Sequence, residues 1–495
     1  MRSLILQKYL QGRQNDMKYE TVIGLEVHVE LATNTKIFCS CSAHSFGAEA
    51  NTHVCPTCLG MPGTLPKLNK KVVDYAIKAG LMLGCKINRV SAFDRKSYFY
   101  PDLPNAYQIT QYFSPIATDG EVEIDTTYGK KRVRIAQIHM EEDAGKLVHD
   151  IKEGLSHIDY NRAGVPLLEI VSRPDLSSAE EVEAYLERLK TLLRYARVAE
   201  CEMAHGTMRC DVNISVRPEG QKAFGVRTEM KNMNSVEAIK RAIEFETARH
   251  VAALEAGEKI LQETRRWDEA CGKTAPMRTK ETAGDYRYAP DPNLAPLVVE
   301  EEWIAQIRHT LPELPEVKRE RYMREYALSA YDAEQLTKSI ALADCFENAT
   351  RVCNSPKDAA NWMMGEVMSL LNTKQMNVEM LSLNPQRLGE LILLVKEGKV
   401  GRANARGILD AMFENAEIDP TVYAKAHDLL ISNDTDRIEA VVEGVVDADP
   451  KSVADYKNGK EKALMFLFGK CMKELGGNCD PQLLRQILCN YVATK

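Results

Sequence analysis

Two side chains open the chemical reading of this chain. In Glu20–Leu31, Ile23, Leu25, Val27, Val29 and Leu31 alternate with Gly24, Glu26, His28 and Glu30. A period of two places the second set on one face of a strand. A carboxylate beside an imidazole suits a hard divalent cation, with His as a ligand or a neighbouring partner. Two such residues describe a solvated sheet face equally well. Glu141-Glu142-Asp143 ends a second strand, Arg132–Met140, and three consecutive acids repel unless water or a metal neutralises them; the alternative is a surface turn. In Cys210–Arg217, Asp211, Asn213 and Ser215 share a face. Jointly the three segments predict Mg²⁺ held by carboxylates and nucleotide phosphates, although nothing in their spacing brings the strands together.

A second constellation is Cys39-Ser-Cys41, then a 13-residue gap, then Cys55-Pro-Thr-Cys58. Paired close cysteines across a loop can wrap one tetrahedral Zn²⁺ with four thiolates, a closed site whose role is to staple the loop. Free thiols or a redox pair are the alternatives, and His44 or His53 could replace a ligand. The other nine cysteines are scattered and read as small buried hydrophobes. Gly272-Lys273-Thr274 looks like the end of a phosphate-binding loop, but Trp267 occupies the position that needs glycine. A nucleotide site here is therefore of an uncommon type.

The elements that must position these groups fall into two textures. From Lys18 to about Glu300 the chain reads as strands, loops and a few helices; beyond it, as helices. Prolines punctuate the change at Pro290, Pro292, Pro296, Pro312 and Pro315, with a smaller break near Asn415–Pro420. The expected division is an extension at 1–17, an α/β (α+β) domain at 18–300, an all-α domain at 301–420 and a small all-α tail at 421–495. The 495 residues exceed one compact core. A net charge of −7 argues against a whole-protein grip on nucleic acid, so any RNA contact needs local basic patches. No apolar run is long enough to span a bilayer, and Met1–Asp16 lacks a secretory core, so a cytoplasmic protein is expected.

Several segments together resemble the B subunit of the bacterial tRNA-dependent amidotransferases. They are Glu20–Leu31 (ETVIGLEVHVEL), Asp94–Tyr112 (DRKSYFYPDLPNAYQITQY), His139–Leu147 (HMEEDAGKL), Asp159–Asp175 (DYNRAGVPLLEIVSRPD), Met208–Arg217 (MRCDVNISVR), Glu229–Val236 (EMKNMNSV), Gln262–Asp268 (QETRRWD), Asp285–Asp291 (DYRYAPD) and Asp455–Gly476. The resemblance covers nearly everything after Met17. It implies a cradle-shaped first domain with a mixed or antiparallel sheet, then a helical domain and a helical tail that touches tRNA. It also implies an ATP-dependent ligase that phosphorylates the side-chain carboxylate of Glu-tRNA(Gln), Asp-tRNA(Asn) or both. Ammonia then displaces phosphate. That ammonia comes from a glutaminase A subunit, and a small C subunit completes a heterotrimer. The implied magnesium and catalytic positions are Glu26, His28, Glu141 and Glu142, with Asp211 associated; the implied zinc ligands are Cys39, Cys41, Cys55 and Cys58.

Phosphoryl transfer also needs cations. The candidates are Arg95, Lys96, Arg162, Lys231, Arg265 and Arg287, each alternatively a surface charge. Lys96, next to Tyr98, Phe99 and Tyr100, is placed in the catalytic set as a desolvated amine near the ammonia path. In the tail, Lys457, Lys460, Lys462, Lys470 and Lys473 are candidate phosphate contacts for tRNA. No glutaminase motif is visible, so ammonia must come from another chain. Two rival readings share parts of this pattern: an amide ligase acting on a free amino acid, and a zinc-stabilised RNA-binding adaptor without catalysis.

Overall fold

The computed structural model describes residues 18–150, 154–279, 285–431 and 434–495. The expected extension at 1–17 lies outside the described residues. The chain forms two compact units that divide between Pro312 and Glu313. The first therefore reaches past the expected boundary at 300. The helix Glu301–His309 is tied to it by the Trp303 indole N–H, which donates to Asp74 Oδ1 at 2.7 Å, and by Arg89, 3.1 Å from both Glu300 and Glu301.

The first unit is built on strands β1 (Tyr19–Glu30), β2 (Lys86–Ile87), β3 (Val90–Ser91), β4 (Asp94–Ser97), β5 (Tyr107–Thr110), β6 (Ala117–Thr126), β7 (Gly129–Glu142), β8 (Lys146–Asp150) and β9 (Leu155–Asp159). They are followed by β10 (Pro166–Ser172), β11 (Met208–Pro218), β12 (Thr228–Lys231), β13 (Glu263–Asp268), β14 (Lys273–Thr279), β15 (Ala289–Pro290) and β16 (Leu297–Val298). Nine of them form one sheet in the order β14-β13-β12-β11-β1-β10-β7-β6-β2. Every pairing in it is antiparallel except β12 with β13, so the sheet is mixed.

Alternation decides which face is covered. Ile23, Leu25, Val27 and Val29 of β1 are at most 1% exposed. The helices Lys70–Met82, Ala179–Tyr195 and Val236–Glu255 contribute Ile77, Leu186, Leu189, Ile239 and Ile243 to the same core. Each of these helices starts on a side-chain cap: Asn69 accepts from the Lys71 amide at 2.9 Å, Ser178 from Glu181 at 3.2 Å and Ser235 from Ala238 at 3.1 Å. The opposite face of the sheet keeps its polar side chains.

Under β12–β14 the core holds a charged knot. Glu246, fully buried, accepts from Arg249 Nη2 at 2.7 Å and from the Thr274 hydroxyl, and lies 3.3 Å from Arg265 Nε and 3.5 Å from His250 Nε2. Burial works against its ionisation, but the hydrogen bonds from His250, Arg249 and Thr274 outweigh it and bring its pKa down to about 2. A carboxyl depressed on folding contributes stability above its unfolded pKa, which is lost as pH falls through the folded value. Glu246→Gln should therefore cost about 3 kcal/mol at neutral pH, because it leaves Arg249 and Arg265 short of a counter-charge. Thermal unfolding of both proteins between pH 7 and pH 2 checks this. The gap should close below about pH 4.5, and a gap that stays constant would refute the assignment.

The second unit is helical. One hydrophobic cluster, with Phe346, Trp362, Met363, Leu391 and Met412, draws on residues between Tyr322 and Ala424. Another, with Val442, Leu467, Cys471, Leu484 and Val492, draws on residues between Ile438 and Val492. Among the described residues no helix is long and apolar enough to cross a membrane.

Candidate active site

The register of the sheet turns the separate polar faces into one site. Glu26 pairs with Asp211 on one side and Val171 on the other, and His28 pairs with Arg209 and Glu169. Glu169 in turn pairs with His139, and Leu167 with Glu141. On the far side Lys231 and Glu229 of β12 continue the row, with Glu229 opposite Thr264. Alternate residues of each strand, on the same side, yield a floor of facing carboxylates, imidazoles and amines.

Two groups of ligand atoms result, each with its atoms within 4.8 Å of one another: His28 with Glu141 and Glu169, and Glu26 with Asp211 and Glu229. In the first, His28 Nε2 is 3.6 Å from Glu141 Oε1 and 3.8 Å from Glu169 Oε2, with no hydrogen bond between them. Such gaps fit an ion bound at about 2.1 Å from each ligand. In the second, Asn213 donates to Glu26 Oε1 at 2.9 Å, the Thr264 hydroxyl donates to Glu229 Oε2 at 2.8 Å, and Lys231 pairs with Asp211 and stands 3.4 Å from Glu229. His139, 5% exposed, keeps a buried Nδ1 without a hydrogen-bond partner among the described residues, 3.9 Å from Glu169.

The electrostatics are those of a crowded acidic floor suited to a cation. Burial, reinforced by Glu169, pushes Glu141 up to about 8. Burial opposes ionisation of Glu169 too, but His139, His28 and Lys96 outweigh it and hold that carboxyl at about 2. Burial, with Glu169 and Glu229, raises Glu26, and burial lowers His28 and His139, favouring neutral imidazoles able to coordinate. For Lys96, burial is outweighed by Glu141 and Glu169, which keep the ammonium charged. Its Nζ lies 5.0 Å from the Tyr286 ring centre and 5.8 Å from that of Tyr98, while Tyr112 and Tyr288 stack at 3.9 Å nearby. All these groups except Tyr98 and Asn213 line one cavity of about 590 Å³, which also includes Gln137, Arg227 and Gln262.

Of the residues singled out from the sequence, Glu26, His28, Lys96, Glu141, Asp211 and Lys231 meet in this cavity. Glu142 does not. It follows Glu141 on the same strand, so it points to the opposite face, where its Oε1 accepts from the Ile109 amide at 3.0 Å. Arg265 is likewise turned away by the period of two and is bound to Glu246, Glu263 and Thr274, with Thr264 taking the cavity side. Arg162 donates to the carbonyls of Ala144 at 3.0 Å and Gly145 at 2.8 Å. Arg95 is paired with Asp291 at 2.6 Å, and Arg287 lies over Phe99. Sequence reasoning missed Glu169, Glu229 and His139. Glu169 had a usable signal, since a lone acid inside the apolar run Pro166–Ser172 must find a buried partner.

The four cysteines Cys39, Cys41, Cys55 and Cys58 converge within 4.8 Å, apart from His44 and His53. Lys36, fully buried, places its Nζ 3.5 Å from Cys58 Sγ and 3.3 Å from the Tyr160 carbonyl. The hydrogen bond with Cys39, aided by Lys36, brings the Cys58 thiol down to about 4. A sulfur set with a thiolate and a buried counter-charge fits a tetrahedral metal. In the second unit Lys457, Lys460, Lys462, Lys470 and Lys473 are all exposed, Lys460 paired with Asp455 and Lys470 with Asp449.

Comparison with known proteins gives this geometry its relatives. Residues 21–305 match the family described as the GatB/GatE catalytic domain, and residues 344–492 match the GatB domain. The chain is 50% identical over 479 residues to the aspartyl/glutamyl-tRNA(Asn/Gln) amidotransferase B subunit of Carboxydothermus hydrogenoformans, covering 96% of this chain and 99% of that protein. It is 52% identical over 475 residues to the protein of the same name in Caldicellulosiruptor saccharolyticus, covering 95% and 98% respectively.

Proposed function

Because the chain belongs to the family of aspartyl/glutamyl-tRNA(Asn/Gln) amidotransferase B subunits, we propose that its 590 Å³ cavity phosphorylates and then amidates a side-chain carboxylate carried on a tRNA. The observation that carries this reading is the convergence, on one sheet face, of two carboxylate-rich ligand groups facing Lys96 and Lys231. A free carboxylate is a poor acyl donor because oxide would have to leave. Its oxygen attacks the γ-phosphorus of ATP and ADP departs. Ammonia then attacks the acyl carbon and phosphate departs as HPO4²⁻, carrying the proton that the nitrogen gives up. Mg²⁺, when bound, offsets the charge of the phosphates.

The chain's own residues do the rest. His28, Glu141 and Glu169 would hold one ion and Glu26, Asp211 and Glu229 a second, with Asn213 and Thr264 fixing the carboxylate rotamers. Lys231 and Lys96 flank the transferring phosphoryl group as fixed cations. The tyrosines 98, 112, 286 and 288 shield the acyl phosphate from water beside Lys96. Zn²⁺ would sit in the four-cysteine cluster as a staple. The assembly is cytoplasmic, with a glutaminase A subunit and a C subunit, and the exposed tail lysines contact tRNA.

The reading is tested on the chain assembled with those two partner proteins, given ATP, Mg²⁺ and Glu-tRNA(Gln) or Asp-tRNA(Asn), with hydroxylamine to trap the acyl phosphate. ADP and a tRNA-bound hydroxamate should form together. Equal turnover with free glutamate would favour an amide ligase of free amino acids. No ADP with any charged tRNA would favour a binding protein.

A further inference from the structure

The second unit carries a groove of about 260 Å³ lined by Glu366, Ser369, Leu370, Arg406 and Leu409. One wall is the helix Arg402–Glu414. The other is the helix Met368–Thr373 and the π-helical turn Met363–Val367 that precedes it, a distortion common at functional sites. Arg402 and Arg406 share one acid there. Arg406 donates to Glu366 from Nε at 2.9 Å and from Nη2 at 3.1 Å, and Arg402 Nη2 donates to the same carboxylate at 3.1 Å. The Glu366 side chain is 11% exposed, those of Arg402 and Arg406 59% and 63%. Two guanidiniums thus stay largely open to solvent while a nearly buried acid fixes their orientation.

The hydrogen bond from Arg406 holds the Glu366 carboxyl below its ordinary value, leaving two cations against one anion. Both arginines stand in the opening turns of their helix, where the helix dipole opposes a cation. The next acid along the exposed strip, Asp410, is paired with Lys374 at 3.0 Å. Beside the ion pairs the backbone is bare. Gly365 precedes Glu366 and Gly407 follows Arg406; neither has positive φ, and a Cβ on either would meet nothing within 4 Å. Glycine weakens a helix interior, and no packing within the described residues asks for it here. The site also adjoins the tail. Asn404, between the two arginines, pairs with Asn478, which lies just past the helix Glu461–Glu474 that carries Lys462, Lys470 and Lys473.

We propose that this groove seats the sugar–phosphate backbone of the tRNA, with Arg402 and Arg406 as forks for its phosphates and Glu366 as the acid that positions them. The inference rests on the tRNA-dependent reading above and extends the RNA contact from the tail lysines to the preceding helices. A planar guanidinium matches a phosphate with two parallel hydrogen bonds, and holding it in advance reduces the freedom lost on binding. Glycines on the rim let a bulky backbone come close. Trp362, the aromatic ring beneath Arg402, is 4% exposed, so the groove offers phosphate contacts rather than base stacking.

The experiment measures binding of Glu-tRNA(Gln) and Asp-tRNA(Asn) to the assembled enzyme by fluorescence anisotropy between about 50 and 200 mM salt, with thermal unfolding alongside. Arg402→Ala combined with Arg406→Ala should weaken tRNA about tenfold and flatten the slope of log K against log salt by at least about one. Glu366→Gln removes the acid and leaves both cations, so tRNA should bind at least as tightly, with a slope at least as steep. Gly407→Leu favours the helix and should keep or raise Tm, yet weaken tRNA about tenfold by lying across the rim. Glu366→Gln as damaging to tRNA binding as the arginine pair, or an arginine variant with unchanged affinity and slope, would overturn the proposal. So would loss of the partner chains from the arginine variant with its tRNA affinity intact, which would make the groove a protein interface. An unaltered enzyme that binds neither charged tRNA would instead refute the tRNA-dependent reading itself.

Discussion

Glu169→Gln is expected to lower the ATP-dependent step by roughly 10³-fold while the protein stays folded. The carboxylate sits between His28 Nε2 at 3.8 Å and His139 Nδ1 at 3.9 Å, and belongs to the same ligand group as Glu141. Glutamine keeps the shape of the side chain but loses the charge, and with it the residue that the surrounding imidazoles and Lys96 hold ionised. Removing one acid from a crowded acidic floor also relieves Glu141, whose carboxyl Glu169 helps to push up. That relief does not offset the loss of a carboxyl held at about 2, which contributes stability at neutral pH as Glu246 does, so the melting temperature should fall by a few degrees. An unchanged rate in the folded variant would refute the place of Glu169 in the ligand group. Glu142→Gln is the companion measurement. Its amide can still accept from the Ile109 N–H on the far face of β7, so its rate should stay within about threefold of the parent. A collapse of activity there, with Glu169→Gln active, would invert the site.

The contrast between these neighbouring acids shows what a sequence can and cannot say. The alternation in β1 is strong enough to put Glu26 and His28 on one face, and that in β11 enough to add Asp211. Period two also says that Glu141 and Glu142 point apart, and that Thr264 and Arg265 do. Taking such neighbours as clusters neglects that constraint. What no periodicity carries is the order β11-β1-β10-β7, and it is this order that inserts Glu169 between His28 and His139. Glu169 belongs to a strand whose remaining residues are apolar or small, so local pattern marks it as buried, and only pairing names its partners. The same holds for Glu229. It sits on the four-residue strand β12, too short for alternation to register, and it acquires its role from the register with Asn213 and Thr264. The helical part is legible from proline punctuation and amphipathic spacing. Its start moves to Glu313 because Trp303 and Arg89 make contacts that sequence distance conceals.

The cysteine cluster supports the largest stability prediction. Between His44 and Asn69 no residue is fully buried, so this stretch has no hydrophobic core of its own and needs another source of order. Asn51 ties it to Ile158 and Asp159 by exposed hydrogen bonds, and the buried Asn161 ties it to Glu49, each worth about 1 kcal/mol. Four thiolates on one ion would supply what the core does not. The purified chain should carry close to one zinc, and Cys58→Ser or Cys41→Ser should lose it. Protease cleavage within 44–69 should then accelerate at least about tenfold.

The two substitutions should differ in one respect. Cys58 is the sulfur against which the fully buried Lys36 ammonium rests at 3.5 Å, whereas Cys41 has no such neighbour among the described residues. Losing the Cys58 thiolate leaves the buried charge with the Tyr160 carbonyl as its one remaining hydrogen-bond acceptor among the described residues and Glu142 as its nearby acid, a deficit of about 3 kcal/mol beyond the loss of the metal. The melting temperature of Cys58→Ser should therefore fall roughly 5–10 °C below that of Cys41→Ser. Lys36→Met in the Cys58→Ser background should recover most of that gap, because it removes the stranded charge without restoring the metal. Equal melting temperatures for the two serine variants would show that Lys36 is not a counter-charge to the cluster. A zinc content near zero in the parent protein, prepared under reducing conditions, would dismiss the metal itself.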